Sequence, residues 1–535
     1  MKKYFKLFTK KTVFPVILML GFILACSNDD DGGGGETPAT PTISISGETA
    51  IIGKAGEIFS VDLTLNAPGG NKELVVYFGG GVLETIPLDV NATTFTYNTQ
   101  TVPSDANEGQ NFEYEFLLAD NANQDSQRVT LTVSAAIYDT IEVGGETLYD
   151  VTIPTDGIVT DEILLITGRD YHISESLSFG AGSTLTVEEG VVVYFKTPVE
   201  VTDPTVGLTF TNGAGLSITG TSTNPVVMTP TTTLTGDPQP GDWNRLYLDG
   251  SAGSLSGATI RYLRTEYGSD GIRLDGMDDS NTVEYVQAFK AATEGIYFTN
   301  GNVNAKYMVA TNSTENGFRL GSGYAGKMQF GIAVMTERLL LDDDTYEVVI
   351  RDQSTAIIAN FTAVGPGIDV EEVYAYRFRG TSDGRIYNSI GASFNRRGVR
   401  VDGSVTVGGT LAGPTVFAYG YIFDLDSQHF RDAPFGGSRD DMDGTINNPF
   451  FNNVTSYEEV VDPDTMEVSY NPIYDTIDGI GTNDFIPDAT VTAKENHDPS
   501  TVDAFFTSVT YVGAVENEAG DWTVGWVKNP DGTIR

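Results

Sequence analysis

A repeat of about 22 residues constrains the fold of this 535-residue chain more than any other feature of its sequence. Three tyrosines, Tyr262, Tyr285 and Tyr307, follow one another at spacings of 23 and 22 residues. Each is followed by a glycine of a second series, Gly271, Gly295 and Gly317, at spacings of 24 and 22 residues. A fixed period of this kind is typical of solenoid proteins. With two short strands in each unit, it predicts the coils of a parallel β-helix, because successive coils stack at about 4.8 Å. Helical repeats need longer units and helix-forming residues, and neither is present here.

Alternation within each unit separates side chains that point into the coil from those that point outward. The inward set is Ile272, Leu274, Ile296, Phe298, Phe318 and Leu320. The outward residues Arg273, Tyr297 and Arg319 stack above one another in this register, close enough for cation–π contact below about 6 Å. They fit either an ordinary solvated surface or a ligand contact, and we carry them forward as candidate ligand-binding residues.

The first 25 residues have the layout of a secretory signal peptide, with five lysines before an apolar run from Val13 to Ala25. This run is too short to cross a hydrocarbon core of about 30 Å. Residues Ile23 to Cys26 resemble a bacterial lipobox, which implies cleavage before Cys26 and acylation of its thiol, with palmitate among the chains. Two or three acyl chains anchor a protein stably where one does not. The alternative is a plain secretory signal with an incidental cysteine.

Residues 26–41 form an acidic and glycine-rich tether, in which Asp29, Asp30 and Asp31 precede four glycines. This tether is similar to the export signal that places lipoproteins of Bacteroidota on the outer face of the outer membrane. The resemblance implies a lipid-anchored, cell-surface protein that meets the membrane through its acyl chains. Because Cys26 is the only cysteine, the chain has no internal disulfide and no cysteine-based metal site.

The charge of the chain excludes one class of partner. Cleavage before Cys26 leaves 26 basic residues against 73 acidic ones. Such a surface repels nucleic acid, so we expect no nucleic-acid partner. Hydrophobic residues nevertheless make up 40% of the chain, which indicates a globular protein rather than a disordered one.

Residues 42–135 are predicted to form a separate antiparallel β-sandwich of about a hundred residues. The strands expected there are Thr42 to Ser46, Ile58 to Leu65, Leu74 to Tyr77, Thr94 to Tyr97, Phe112 to Leu118 and Arg128 to Val133. They alternate or run apolar between clusters of Pro, Gly, Asn and Asp. The segment resembles the Ig-like spacer modules of surface lipoproteins.

Catalytic motifs are sparse. None of the three histidines lies in the Gly-His-Gly of polygalacturonase-like sites, and Asn-Thr-Asp is absent from the sequence. The densest polar cluster runs from Asp424 to Asp443, where His429 and Arg431 are candidate ligand-binding residues and Asp440, Asp441 and Asp443 a candidate site for structural Ca²⁺. Its spacing does not fit an EF-hand loop, and a solvated acidic loop is the alternative. We assign no catalytic residue and no other cofactor.

Trp522 and Trp526 lie four residues apart near the C-terminus. They are either a platform for stacking sugars or an aromatic cap. We predict the cap, because the apolar end of a solenoid must be covered.

Several stretches resemble the secreted right-handed β-helix proteins of Bacteroidota, most of which are uncharacterised lipoproteins. The matching stretches are Gly220 to Thr229, Gly241 to Leu248, Val303 to Val309, Gly323 to Phe330, Tyr511 to Ala514 and Asp521 to Trp526. The chain departs from the family where Asn244 and Arg245 replace the glycines of a Trp-Gly-Gly motif. The resemblance implies an all-β chain with a pectin-lyase-like fold, in which an Ig-like β-sandwich precedes a right-handed parallel β-helix over residues 140–535, ending in a C-terminal cap.

The function expected from these features is non-catalytic binding or display of an extended ligand, most readily a polysaccharide, with a surface protein as the other partner class. One alternative is a polysaccharide lyase or glycoside hydrolase, because many β-helices carry those activities. A further alternative is a structural or adhesive surface protein.

Overall fold

The computed structural model describes residues 37–535 except 201, 256, 339–344, 368, 397, 407–409, 428–429, 433–453, 456, 462–467, 473–479, 482–483 and 488–495. The predictions for Cys26, His429, Asp440, Asp441 and Asp443 therefore lie outside the described residues. For Arg431 the backbone is described and the side chain is not.

The chain forms two compact units. The smaller takes in the described residues up to Ile51 with Phe59–Gln100 and Phe112–Thr132, and the larger takes in Ile52–Ile58, Thr101–Asn111 and Val133–Arg535. The first eight strands are β1 (Thr42–Ser46), β2 (Ala50–Lys54), β3 (Ser60–Asn66), β4 (Asn71–Phe78), β5 (Gly81–Pro87), β6 (Thr94–Asn98), β7 (Asn111–Asp120) and β8 (Val129–Ala136). They include all six strands predicted for this region.

These strands build two sheets. One has the order β1-β3-β6, with antiparallel neighbours, and the other β2-β8-β7-β4-β5, in which β4 runs antiparallel to both β5 and β7. Alternation sets their buried face: in β3 the side chains of Val61, Leu63 and Leu65 are buried and those between them are exposed. The Ig-like character of this region stays a prediction.

The larger unit is a parallel β-helix, as the repeat predicts. Its first strands are β9 (Asp139–Val143), β10 (Glu146–Asp150), β11 (Ile158–Val159), β12 (Glu162–Leu165), β13 (Tyr171–Ile173), β14 (Leu177–Phe179), β15 (Thr184–Glu188), β16 (Val192–Phe195), β17 (Leu208–Phe210), β18 (Gly215–Thr219), β19 (Val226–Pro230), β20 (Leu246–Asp249), β21 (Thr259–Glu266) and β22 (Ile272–Asp275). A one-turn helix, α1 (Thr232–Thr235), lies between β19 and β20.

The array continues through fifteen more strands. They are β23 (Thr282–Phe289), β24 (Glu294–Thr299), β25 (Ala305–Thr311), β26 (Asn316–Gly321), β27 (Lys327–Val334), β28 (Thr345–Arg351), β29 (Ile357–Val364), β30 (Val373–Arg379), β31 (Arg385–Tyr387), β32 (Ile390–Arg396), β33 (Val399–Val401), β34 (Val416–Ala418), β35 (Tyr421–Ser427), β36 (Phe430–Asp432) and β37 (Val454–Thr455). Two antiparallel pairs follow, β38 (Tyr457–Val461) with β39 (Val468–Pro472) and β40 (Ile480–Gly481) with β41 (Asp484–Phe485).

One face of the β-helix is an eleven-stranded sheet of parallel strands in the order β11-β14-β17-β20-β22-β24-β26-β28-β30-β33-β36. The remaining coil strands form two further series, which merge at β21 because that strand pairs with both β18 and β19. Each coil thus turns three faces outward, although the repeat predicts only two strands in a unit.

The bend inside the merged strands is made by residues in the left-handed region, including Tyr262, Tyr285 and Tyr307 at φ of 51°, 56° and 60°. This conformation is costly for a residue with a Cβ. It is offset by ring stacking from coil to coil, with centroids 4.2 Å apart for Tyr262 and Tyr285 and 4.4 Å for Tyr285 and Tyr307. We call these rings and Phe330, stacked on Tyr307 at 5.0 Å, the aromatic ladder.

The core fills the coil interior, and the six residues predicted to point inward are all buried there, namely Ile272, Leu274, Ile296, Phe298, Phe318 and Leu320. The repeated glycines are explained by the same stacking. A Cβ at Gly271 would lie 2.4 Å from the Ala288 Cβ and 2.5 Å from the carbonyl oxygen of Gly295 in the next coil.

Residues 496–535, which we call the strap, lie against the flank of the coils that carries the aromatic ladder. The prediction that Trp522 and Trp526 close the end of the coil is wrong. The Trp526 ring meets Tyr262 edge-on at 5.7 Å, and that of Trp522 meets Tyr307 at 5.3 Å, both in the middle of the array. Outward-facing apolar residues, among them Val309 and Ile332, supply the buried surface that attracts the tryptophans there.

No helix within the described part of the chain combines the length and the apolar composition needed to cross a membrane.

Candidate functional site

The predicted column of outward side chains lies on the eleven-stranded sheet. The register pairs Tyr247 with Arg273, Arg273 with Tyr297 and Tyr297 with Arg319 on successive strands. The guanidinium of Arg273 lies 5.1 Å from the ring centroid of Tyr247 and 4.8 Å from that of Tyr297, and that of Arg319 lies 4.6 Å from Tyr297. Arginine and tyrosine therefore alternate in cation–π contact. We call this surface the groove face.

The column extends in both directions beyond the three predicted residues. Thr209 precedes Tyr247. Beyond Arg319 the register passes through the apolar Val349 to Arg377, Arg400 and Arg431. The structure thus brings the backbone of Arg431 into line with the column, although this residue was predicted from a different cluster.

The arginines of the column are held by neighbouring carboxylates. Arg319 Nη1 donates to Glu294 Oε1 at 2.7 Å, and Arg377 Nη2 lies 3.0 Å from Asp402 Oδ2. Arg273 is held more loosely, because its ion pair with Asp275 is 3.6 Å long. The buried Nε atoms of Arg273 and Arg319 both lack an acceptor among the described residues, so the two arginines differ in the bonds of their terminal nitrogens. Arg273 therefore keeps more unused donor capacity than Arg319.

Two acids beside the column are buried. Burial raises the pKa of Glu294 to about 7, although its hydrogen bond from Arg319 opposes the shift. Asp270, on the preceding coil, accepts hydrogen bonds from Arg245 and Thr293. Neighbouring carboxyls with one raised pKa are the ingredients of a glycosidase pair. Because both are only 2–3% exposed, we interpret them as groups that position Arg245 and Arg319.

Two insertions wall one side of the groove face. In the first coil, the connection from β13 to β14 has only three residues, 174–176. The equivalent connections in the next two coils are the insertions: residues 196–207 join β16 to β17, and residues 231–245 join β19 to β20. The earlier insertion borders a cavity of about 650 Å³, with Pro198, Pro204 and Lys196 in its walls. This size lies in the usual range of ligand pockets.

A second cavity of about 300 Å³ lies on the groove face itself. Its lining residues are Ser176, Gly207, Thr209, Asn244, Arg245, Tyr247 and Arg273. None of these carries a carboxylate, so the walls offer mainly hydrogen-bond donors and hydroxyls. Because Ser176 lines both cavities, they adjoin and together lead to the arginine–tyrosine column.

Sequence reasoning missed most of these residues. The exceptions are Arg273, found from the repeat, and the pair Asn244 and Arg245, noticed only as departures from a family motif. The lengthened connections between strands were the available signal, since insertions in solenoids gather on one face.

No group of three or more His, Cys, Asp or Glu side chains in the described ranges is arranged to hold a metal ion. The candidate Ca²⁺ ligands fall outside those ranges, so that prediction stays a prediction.

Comparison with known proteins gives one family. The family described as pectate-lyase like beta helix domain matches residues 157–261 and 255–428, together just over half of the chain. No curated protein matches.

Two solved structures are similar at low identity. Fibronectin(III)-like modules of CbhA from Clostridium thermocellum share 14% identity, with a TM-score of 0.15; the match covers 18% of this chain and only 47% of theirs, so the chain spans about half of their length. Pectate lyase PelI from Erwinia chrysanthemi, solved with tetragalacturonic acid, shares 10% identity over 81% of this chain and 94% of its own, with a TM-score of 0.12.

Proposed function

The chain belongs to the family of pectate-lyase-like β-helix domains, and on that premise we propose that it binds an extended polysaccharide along the groove face without cleaving it. The observation that carries the proposal is the continuity of the two cavities with the arginine–tyrosine column. A chain of sugars needs such a run of adjoining subsites, and a flat solvated sheet has none.

The smaller cavity supplies the anchoring chemistry. Arg273 contributes the Nη donors of its loosely paired guanidinium, and Asn244, Ser176 and Thr209 contribute amide and hydroxyl groups that match sugar hydroxyls. Arg245 is less available, because its Nε donates to Asn244 Oδ1 at 2.9 Å and its Nη1 to Asp270. Asn244 and Arg245, which stand in place of the glycines expected from the resemblance to a Trp-Gly-Gly motif, both line this cavity.

The tyrosine rings contribute in a limited way. Guanidinium groups cover both faces of Tyr297, which is only 9% exposed, so no sugar can stack on it. The column therefore offers a rigid surface of guanidinium edges, and Tyr297 keeps the two arginines apart at fixed spacing. This leaves binding to depend mainly on Arg273 and its cavity.

We place this binding at the cell surface. Acylation of Cys26, the acidic tether and the resemblance to lipoproteins of Bacteroidota support an outer-membrane anchor that holds the β-helix outside the cell. In cells fed an alkyne analogue of palmitate, the wild-type chain becomes labelled and sediments with membranes. The variant Cys26→Ser is unlabelled and leaves the membrane fraction, whereas equal labelling of both would contradict the anchor.

The binding test uses the mature chain with Cys26→Ser, which stays in solution, on an array of neutral and uronic-acid oligosaccharides. The strongest hits are then titrated by calorimetry. Arg273→Ala weakens binding about tenfold or more, because it removes charge-assisted hydrogen bonds. The matched control is Arg128→Ala in the smaller unit. Arg128 also covers a tyrosine, at 3.5 Å from the Tyr77 centroid, and pairs with Glu115 at 2.8 Å.

The competing predictions give different results in the same assay. A lyase or glycosidase shortens the bound glycan and releases unsaturated or reducing ends, and it loses that activity in His429→Ala or Arg431→Ala. An adhesive protein gives no glycan hit, while its deletion reduces attachment of cells. An array without hits, or equal affinity of Arg273→Ala and wild type, would contradict binding at the groove face.

A further inference from the structure

Side-chain amides on three separate coils hold the strap. Each amide exchanges two hydrogen bonds with the main chain of one strap residue, as a neighbouring β-strand would. Gln287 donates from Nε2 to the carbonyl oxygen of Lys528 at 2.7 Å and accepts from its N–H at 2.8 Å. Gln329 makes the same pair of bonds with Thr507, at 2.9 and 2.7 Å.

Asn388 repeats the arrangement with His497, at 2.7 and 2.9 Å. Between these positions, Asn360 Nδ2 donates to the carbonyl oxygen of Tyr511 at 3.0 Å. All four of these amide side chains are fully buried. A side-chain amide has the same donor and acceptor as a peptide group, so these coils bind main-chain groups of the strap. We call this recognition of main-chain groups backbone reading.

Apolar contacts add selectivity to this backbone reading. Trp522 and Trp526 lie edge-on to the aromatic ladder, and Ala514, Val515 and Val527 pack with Trp526 on outward apolar residues of the coils. The indole N–H groups are satisfied within the strap, since Trp522 donates to Ala514 and Trp526 to Trp522. The tryptophans therefore present their apolar surfaces to the coils without an unpaired donor.

An ion pair and a charged hydrogen bond hold the C-terminal end of the strap against the coils. Lys528 Nζ lies 3.0 Å from Glu266 Oε2, and Arg264 Nη1 donates to the carbonyl oxygen of Trp526 at 2.8 Å. Arg264 also pairs with Glu266, so the buried carboxylate is shared between a coil residue and the strap. Such a carboxylate stays satisfied only while both cations remain in place.

We propose that this flank of the β-helix is a peptide-binding site whose resident ligand is the chain's own C-terminal segment. The partner that fits it is a peptide with two tryptophans four residues apart, which folds into turns and short 3-10 helices such as Pro499–Thr501 and Glu518–Gly520 and is bound through its main chain at three positions. The strap docks as a separate module onto coils that are already formed, and it stays bound after the chain is cut ahead of it. This site is independent of the groove face, which lies on the eleven-stranded sheet.

The test keeps the whole chain and cuts it after folding. A recognition sequence for a site-specific protease is inserted after Glu495, and the cut protein is passed through gel filtration. The fragment carrying residues 496–535 is expected to co-elute with the β-helix and to separate only in denaturant. A fluorescent copy of the same fragment then exchanges into the cut protein and competes with the resident one. Separation of the fragment from the cut wild-type protein without denaturant would overturn the proposal.

Backbone reading is tested by the triple variant Gln287→Ala, Gln329→Ala and Asn388→Ala in the same cuttable chain. Fragment exchange is expected to be about tenfold faster or more, because six hydrogen bonds are lost. The control replaces three exposed amides, Asn91, Gln127 and Gln239, with alanine. If the triple variant does not fold, Gln287→Ala alone is compared with Gln239→Ala by the same exchange rate. Equal exchange rates for variant and control would refute backbone reading.

Discussion

The side-chain amide of Gln287 exchanges two hydrogen bonds with the main chain of Lys528, 241 residues further along the sequence. In a solenoid each repeat contacts only its neighbours, so stability accumulates step by step along the stack. The contact between Gln287 and Lys528 adds a connection of a different kind, since it ties a central coil to a segment that reaches several other coils.

Gln287→Ala is therefore expected to destabilise the whole β-helix. The substitution leaves the main-chain N–H and carbonyl of Lys528 without their partner, at a cost of about 1–3 kcal/mol in the free energy of unfolding. Urea denaturation of the full chain measures this loss. Gln239→Ala, which removes an exposed amide, should change the free energy by less than about 0.5 kcal/mol. Equal midpoints for the two variants would show that the contact between Gln287 and Lys528 adds nothing to stability.

Gly271→Ala is expected to strain the stack of coils. The added methyl would lie 2.4 Å from the Ala288 Cβ and 2.5 Å from the Gly295 carbonyl oxygen, so a coil must shift. Overpacking of this kind typically costs about 1–3 kcal/mol. The melting temperature reports it, with Gly236→Ala as the control because nothing lies within 4 Å of a Cβ there. A melting temperature equal to that of the control would contradict this explanation of the glycine repeat.

Glu347 makes stability fall as pH rises. Burial raises the pKa of this carboxyl from 4.5 to about 8, and its Oε1 is buried without a hydrogen bond from any described residue. The folded chain binds the proton more tightly than the unfolded chain, so the contribution is complete below about pH 4.5. It is then lost toward pH 8 at up to about 1.4 kcal/mol per pH unit.

Glu347→Gln removes this titration and keeps the shape of the side chain. The free energy of unfolding of the variant minus that of wild type should increase steadily from pH 5 to pH 8 in urea titrations. A difference that does not change with pH would show that Glu347 is ionised in the folded chain.

Arg319→Ala tests the buried acid beside the column. Among the described residues, removal of the guanidinium leaves the Glu294 carboxylate with one hydrogen bond, from Asn316 at 2.8 Å, and raises its pKa further above about 7. The loss of stability should therefore be larger at pH 8 than at pH 5, reaching about 3 kcal/mol. The double variant with Glu294→Gln should recover most of the loss at pH 8. If the double variant is no more stable than Arg319→Ala, the arginine stabilises the coil through packing alone.

The repeat was sufficient to predict the β-helix and the register of its column, because inward and outward positions alternate over short strands. Ile272, Arg273 and Leu274 show this directly: their burial follows from the pattern within a single coil. The third face of the coil was not predicted, since it depends on a left-handed bend at Tyr262 that no propensity favours.

The strap and the buried glutamate show what a local pattern cannot supply. Val309 and Ile332 are apolar at outward positions, which signals that something covers them, but the covering segment lies about two hundred residues away. Glu347 stands in register with Gly317, so the repeat places a carboxyl where other coils have a glycine inside. The next residue, Val348, also packs in the core, so strict alternation predicts that Glu347 points outward. The stacking of coils overrides this alternation.

The most direct test of the proposed function is a crystal structure of the mature chain bearing Cys26→Ser, grown with the oligosaccharide that binds most tightly on the array. The account predicts sugar density in the smaller cavity of the groove face, within hydrogen-bond distance of Arg273 and continuing past Ser176 toward the larger cavity. Sugar density on another face of the coils, with both cavities of the groove face empty, would contradict it.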